Sequence, residues 1–241
     1  MPPPDPFGRA IRDFHRGEQD APLLQRDGDD VLEHPIERFY FGEFDAEGEW
    51  GSWLESRLDG PLLDLGAGVG RDALHFQDRF ETVAVEVSEH LVETMSDRGV
   101  EDARLGDMFA LRETFEPDRF RSVLAHGTQV GLAGSMAGLR ELLDDLASVT
   151  TDDATAVVDC YDPEHDAAAD LVGFRVDPTS GLAFRVMHFE YEGDVGETLL
   201  FRLFSPERLE EAAADAGWDV EDVRYGSGSN SSYYEAALVK A

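Results

Sequence analysis

From residue 61 onward, short apolar runs alternate with stretches whose apolar side chains recur every three or four positions. The runs 61–65, 82–86, 103–105, 121–125 and 154–160 predict strands. The stretches 71–78, 89–98 and 134–149 predict helices, the last with Leu139, Leu142, Leu143 and Leu146 along one face. Strands alternating with helices in this way predict an α/β fold, a parallel sheet covered on both sides.

After Asp162-Pro163 the rhythm breaks. Residues 182–192 and 197–204 flank Gly193-Asp194-Val195-Gly196, a hairpin signal inside an insertion spanning about 163–203. Ser205-Pro206-Glu207 then opens a helix with serine at the cap and proline in the first turn, running to Ala216 before Gly217. Residues 218–225 and 233–239 predict two closing strands around a Gly/Ser-rich loop. Upstream, residues 1–35 read as an irregular arm with short helices, and 36–58 as a helical lead-in broken near Gly48-Gly51. The expected organisation is a helical arm or lid over 1–58, then one domain over 59–241 that carries the insertion.

Composition narrows the setting. Hydrophobic residues make up 42% of the 241, enough for a packed core. No run is long and apolar enough for a bilayer span, and the N-terminus lacks the basic and apolar parts of a secretory signal, so a soluble cytoplasmic protein is expected. A single cysteine, Cys160, excludes an intramolecular disulfide and a multi-cysteine zinc site, and the histidines show no metal spacing, so no metal is expected. Acids number 52 against 20 basic residues, a net charge of −32, and Lys240 is the sole lysine. Such self-repulsion strains a compact fold unless salt screens it, which points to the salt-rich cytosol of an extreme halophile. The same charge disfavours a nucleic-acid partner, whose phosphates are held by basic contacts that salt erodes.

The chemistry concentrates in Leu62-Leu63-Asp64-Leu65-Gly66-Ala67-Gly68-Val69-Gly70-Arg71. A strand leading into closely spaced glycines lets the backbone turn tightly against a ligand, with a helix N-terminus behind it. A dinucleotide fingerprint would place its third glycine at 71, where this chain has arginine. Asp64 before the turn suits an ammonium better than a pyrophosphate. The next strand ends in Glu86, a carboxylate able to accept both hydroxyls of a ribose. Gly106-Asp107-Met108-Phe109 follows the third strand, where Asp107 can take an adenine amino group and Met108 or Phe109 can line the base. A nucleoside carrying an amino acid fits this set better than a dinucleotide does.

Together, Asp64-x-Gly66-x-Gly68-x-Gly70, Glu86 and Gly106-Asp107 resemble the class I methyltransferases that depend on S-adenosylmethionine, of the small-molecule type. Phe204-Ser205-Pro206-Glu207, Ala216-Gly217-Trp218 and the run from Tyr234 to Val239 resemble the late helix and final strand pair of that family. The resemblance covers about residues 60–160 and 200–241. It implies a Rossmann-like methyltransferase fold: a seven-stranded, mostly parallel sheet with an antiparallel final strand, and here a β-hairpin insertion before the last helix. It implies S-adenosylmethionine as cofactor. Asp64 would lie near the methionine amino group, Gly66, Ala67, Gly68 and Gly70 behind the methionine, and Glu86 at the ribose. Val87, Asp107 and Met108 would surround the adenine, with His126 beneath the cofactor.

Methyl transfer from a sulfonium is an in-line displacement governed largely by positioning, and it needs a base only when the acceptor holds a proton. His126, past the fourth strand, is the candidate base, and Tyr161, past the fifth, is a candidate wall of the acceptor pocket. His126-Gly127-Thr128-Gln129 departs from the Asn/Asp-Pro-Pro-Tyr pattern of methyltransferases acting on bases or glutamine, leaving a small-molecule acceptor. Arg71 is read as a cap of the glycine loop or a surface ion pair. Cys160 is read as core. Tyr40 and Phe41, and the insertion's His188, Phe189 and Tyr191, are candidates to close over the site. The alternative function is a regulatory or scaffold protein that binds the cofactor without turnover.

Overall fold

The computed structural model describes residues 4–241. The chain opens with helix α1 (Pro6–Arg16), a hairpin of β1 (Leu24–Asp27) and β2 (Asp30–Glu33), a π-helical turn (Glu37–Phe41) and helix α2 (Glu49–Arg57). Strands and helices then alternate as β3 (Leu62–Leu65), α3 (Arg71–Phe76), β4 (Thr82–Glu86), α4 (Glu89–Arg98), β5 (Ala103–Leu105), α5 (Leu111–Thr114) and β6 (Phe120–Ala125). A 3-10 turn (Gln129–Ala133), α6 (Met136–Val149) and β7 (Thr150–Tyr161) complete the repeat. The insertion holds β8 (Phe174–Val176), β9 (Leu182–Tyr191), β10 (Asp194–Val195) and β11 (Leu199–Phe204), and α7 (Pro206–Asp215), β12 (Trp218–Tyr225) and β13 (Tyr233–Lys240) end the chain.

Seven strands form one sheet in the order β12-β13-β7-β6-β3-β4-β5. β3 through β7 pair in parallel, while β13 runs antiparallel to both β7 and β12. This is the predicted seven-stranded sheet with its antiparallel final strand. All four residues of β3 and all five of β4 are buried, as central parallel strands covered on both faces must be. Alternation along the strands divides the core. Leu63, Leu65, Val83, Val85 and Val123 face α5, α6 and α7, where Leu139, Leu142, Leu143 and Leu146 pack as the helical spacing predicts. Leu62, Leu124 and Val157 face Leu54 of α2 and Phe76 of α3. Each such leucine, fully buried, contributes on the order of 2 kcal/mol. Asp64 and Asp159 share the parity of Leu62 and Val157, which puts both carboxylates on the α2–α3 face.

A second, antiparallel sheet is built around β9, which pairs with β1, β8, β10 and β11. The hairpin predicted from 182–204 is present, in the register Leu182↔Phe204 to Met187↔Leu199. The arm differs from its helical expectation: residues 24–33 are strands. This segment is polar and turns at Gly28, so its strand character comes from Leu24, Gln25 and Arg26 pairing with Glu190, Phe189 and His188, not from local propensity. The lead-in over 36–58 is helical in two pieces, with the break before Glu49 and with Gly51 inside α2. Ser205 stands at the cap of α7 without a side-chain capping bond; its amide instead donates to the Gly181 carbonyl. Among the described residues, no helix is long and apolar enough to cross a membrane.

Candidate active site

The turn after β3 carries Gly66, Gly68 and Gly70, all with positive φ (63°, 60° and 75°). At Gly70 a Cβ would lie 2.4 Å from Val100 Cγ2, and at Gly66 it would meet the end of the flexible Gln129 side chain, so the positive φ strains a larger residue at both positions and Gly70 adds a clash. Over Gly68 stands the ring of Tyr40, 3.6 Å from where a Cβ would sit. Tyr40 is held by His34, whose Nε2 donates to the phenol oxygen (2.9 Å) while Nδ1 accepts from Gln25 Nε2 (2.9 Å). Burial, aided by the charge of Arg185, lowers the His34 pKa to about 4, which keeps the ring neutral and this chain of donors intact.

The predicted acids line the same turn. Asp64 is 3% exposed, and its Oδ2 has no hydrogen-bond partner among the described residues. Burial, then repulsion from Asp72, push its carboxyl up to about 8. Glu86 ends β4 and accepts from the amides of Gly68 (3.1 Å), Val87 (2.8 Å) and Ser88 (3.2 Å), which locks its carboxylate against the glycine turn; burial still raises its pKa. Val87 is 73% exposed and Asp107 is exposed with Oδ1 accepting from Phe109 N (2.9 Å). Met108 departs from expectation: its side chain is buried in the core with Leu63, Val85 and Leu111, and the neighbouring Phe109, 43% exposed, presents its ring outward instead.

A row of polar side chains continues from Asp64 across the α2–α3 face of the sheet. His126, just past β6, has Nδ1 3.0 Å from Asp72 Oδ2 and Nε2 3.7 Å from Asp159 Oδ2. Arg71 Nη2 is equally near Nδ1, at 2.9 Å, and would donate to a neutral ring. Burial also works against a charged ring. The hydrogen bond and charge of Asp72, joined by the charge of Asp159, outweigh both and hold the imidazole pKa up at about 9. Asp72 would be raised by burial, but the bond from His126 and the charges of His126 and Arg71 keep it well below the usual carboxylate range. Asp159 accepts from Gly127 N (2.7 Å), Thr128 N and Tyr233 Oη. Its register partner Glu235 accepts from Trp50 Nε1 of α2.

The expected base therefore carries a proton at neutral pH, and its Nδ1–H is donated to Asp72. Arg71, read from sequence as a cap or surface pair, donates twice to Asp72 (2.9 and 3.1 Å) inside this row. Asp72 and Glu235 escaped the sequence reading. Their signal was an acid amid apolar neighbours, as in Tyr233-Tyr234-Glu235-Ala236-Ala237-Leu238. Tyr161 ends β7, packed edge-on against Tyr233 at 5.6 Å, and burial raises its phenol pKa. Cys160 is fully buried, its thiol pushed up to about 12 by burial, as a core residue. Phe189 packs on Phe7 (4.6 Å) and His34 (5.4 Å), so insertion and arm meet beside Tyr40.

No protein-family model matches the chain, and no curated protein does. Solved structures do. An S-adenosylmethionine-dependent methyltransferase from Bacteroides fragilis, in complex with S-adenosyl-L-homocysteine, superposes with a TM-score of 0.78 at 24% identity, over 98% of this chain and 95% of that one. The sugar N-methyltransferase KedS8 from Streptoalloteichus gives 0.59 at 20% identity, over 88% and 95%. The glycopeptide N-methyltransferase MtfA, complexed with S-adenosylmethionine, gives 0.59 at 18%, over 84% and 96%. In architecture the chain has the Rossmann-like fold of the class I methyltransferases.

Proposed function

We propose that this chain is a methyltransferase that binds S-adenosylmethionine at the 66–70 turn and methylates a small-molecule acceptor. The observation that carries the reading is the Asp64 carboxylate oxygen, buried without a partner beside the glycine turn. A buried acceptor of this kind is costly unless a donor arrives, and an α-ammonium group supplies both charge and protons. The remaining residues fit the rest of the molecule. Gly66, Ala67, Gly68 and Gly70 themselves bring no side chain larger than a methyl to the methionine, and the fixed Glu86 carboxylate meets the ribose hydroxyls. Val87 and Phe109 cover the adenine, and Asp107 reaches its amino group. Met108 acts through its backbone and by seating Phe109. When bound, the cofactor supplies an electrophilic methyl group on a sulfonium.

The acceptor enters over the ends of β6 and β7, where ligands meet open α/β sheets. His126, as an imidazolium between Asp72 and Asp159, fixes the loop after β6 and holds a proton there; it does not remove one from the acceptor. Tyr161 forms a wall. Residues 1–58 and the insertion at about 163–203, tied together through β1 and β9, close the site as a lid. The fold likeness to enzymes named for sugar and glycopeptide N-methylation supports a small acceptor. The net charge of −32 supports a cytosol rich in salt. Calorimetric titration with S-adenosylhomocysteine in 2 M KCl tests the reading: binding is expected, and no heat at millimolar ligand ends it. Release of labelled methyl onto a metabolite extract then establishes turnover.

A further inference from the structure

In a chain with 52 acids, nearly every arginine has found one. Among the described residues, sixteen of the nineteen arginines lie within ion-pair distance of a carboxylate. The exceptions are Arg38, Arg98 and Arg185. Arg38 is exposed and needs no partner. Arg98 donates to the carbonyls of Val69 (2.7 Å) and Tyr40 (3.4 Å), tying the glycine turn to the arm. Arg185 is different: it is only 8% exposed and meets no carboxylate.

Its position in the strand sharpens the point. On β9 the buried positions alternate as Ala183, Arg185, Met187, Phe189 and Tyr191, so a guanidinium occupies an otherwise apolar row. Nε donates to the Val172 carbonyl (3.0 Å), which fixes the plane of the group. Nη1 and Nη2 have no protein partner among the described residues, and neither is fully enclosed. The fork they form is the part of arginine that grips a carboxylate or phosphate with two parallel bonds. The titratable groups acting on it are Tyr161, whose ring lies 5.9 Å from the guanidinium carbon, and the neutral His34. Tyr161 in turn packs on Tyr233 (5.6 Å), whose hydroxyl donates to Asp159 beside the loop after β6, so a chain of contacts runs from Arg185 to the edge proposed for acceptor entry.

A buried cation without a counter-charge is costly in any protein. Here the sequence had ample acids to supply one and placed none nearby. We infer that Arg185 is the anchor for an oxyanion, a carboxylate or a phosphate, carried by the methyl acceptor. The inference rests on the methyltransferase reading for the word acceptor; the anion site itself stands on the geometry of Arg185. It makes Arg185 the specificity residue of the pocket and the insertion the element that brings it there.

The test follows the arginine side-chain signals by ¹⁵N–¹H NMR on the full chain with S-adenosylhomocysteine present. Potassium chloride is exchanged for potassium acetate, and separately for potassium phosphate, at constant ionic strength; acetamide added at equal concentration is the neutral control. Arg185→Lys identifies the signal. A saturable shift of the Arg185 resonance with acetate or phosphate, absent with acetamide and absent at Arg38 and Arg98, is expected, and the stronger anion names the acceptor's group. No saturable shift with either anion, or an equal one with acetamide, overturns the inference. A second arm uses Arg185→Met. Relief of an unpaired buried charge predicts a melting temperature at or above that of the parent, with homocysteine-ligand affinity within about twofold. A clear fall in melting temperature would mark Arg185 as a structural tie to Val172 and overturn the inference equally. If the parent chain fails to bind S-adenosylhomocysteine, the cofactor reading falls; if it binds that ligand and ignores both anions, only the present inference does.

Discussion

His126 Nδ1 stands 3.0 Å from an oxygen of Asp72, and the two groups move each other's titration in opposite directions. The imidazole is held up at about 9 and the carboxyl is pressed below its ordinary range. The sign of the histidine contribution follows from linkage. A folded pKa above the unfolded value near 6.5 means that stability is fully present below that value and is lost as pH rises through about 9. The size is about 3 kcal/mol, from the shift alone. Melting curves in high salt between pH 6 and 10 should show this decline in the parent and a much flatter profile in Asp72→Asn. Equal slopes in the two proteins would mean that the pair is not coupled as the structure indicates.

Asp64 makes a prediction of the opposite kind. Burial, with repulsion from Asp72, raises its carboxyl to about 8, so it is largely protonated at pH 7, and its Oδ2 has no hydrogen-bond partner among the described residues. An incoming ammonium reverses that balance, and binding of S-adenosylhomocysteine at pH 7 should release a fraction of a proton. Calorimetry in buffers of different ionisation enthalpy measures the release directly. Asp64→Asn should abolish it and weaken binding about tenfold or more, the scale of one charge-assisted hydrogen bond. The same substitution should not lower the melting temperature near neutral pH, because a buried carboxyl with a raised pKa costs stability as pH rises from about 4 toward 8. Affinity unchanged in Asp64→Asn would remove the carrying observation of the proposed function.

Gly70 tests the turn itself. Its φ of 75° and the 2.4 Å approach of Val100 Cγ2 to a Cβ mean that Gly70→Ala meets both backbone strain and a clash. A loss of about 1–3 kcal/mol is expected in denaturant unfolding. Gly28→Ala is the control: its φ is also positive, 60°, but a Cβ there meets nothing within 4 Å, so only the strain should register. If the two substitutions cost the same, Val100 yields to a Cβ at the turn and only backbone strain opposes it.

Why some of this was readable from sequence and some was not has a physical cause. The glycine turn, Glu86 and the strand–helix alternation are local: their signals lie within a few residues of one another, and the sheet order follows from few topological choices. The polar row is not local. Asp72, His126, Asp159 and Glu235 come from four elements and meet because β13 is inserted beside β7 and α3 covers β3. In a sequence so rich in acids, a buried aspartate looks like any surface one until its strand parity is known. The hairpin at 24–33 was hidden for a related reason, since its strands exist through pairing with β9, about 160 residues away. Arg185 could have been noticed, as a charge within the alternating row Ala183-Arg185-Met187-Phe189, but its lack of a partner is a statement about space.

The surface supplies the last prediction, and two salt effects compete in it. Most of the ion pairs are exposed, and each contributes at most about 1 kcal/mol, a part that salt removes. Against them stands the repulsion of a net charge of −32, which salt also removes. Several arginines already serve two acids, as Arg112 does with Asp144 and Asp145 and Arg140 with Glu211 and Asp215, so among the described residues most of the remaining acids have no cation to meet. Repulsion should therefore win, and the unfolding temperature should rise between 50 mM and 2 M KCl. Screening and salting-out are separable by their form. The Debye length shrinks from about 10 Å at 0.1 M to about 3 Å at 1 M and little remains to screen beyond that. A rise concentrated below about 1 M is the expected signature of charge. A flat response, or a gain that only accumulates linearly above 1 M as exclusion of salt from apolar surface would give, counts against a chain adapted to brine.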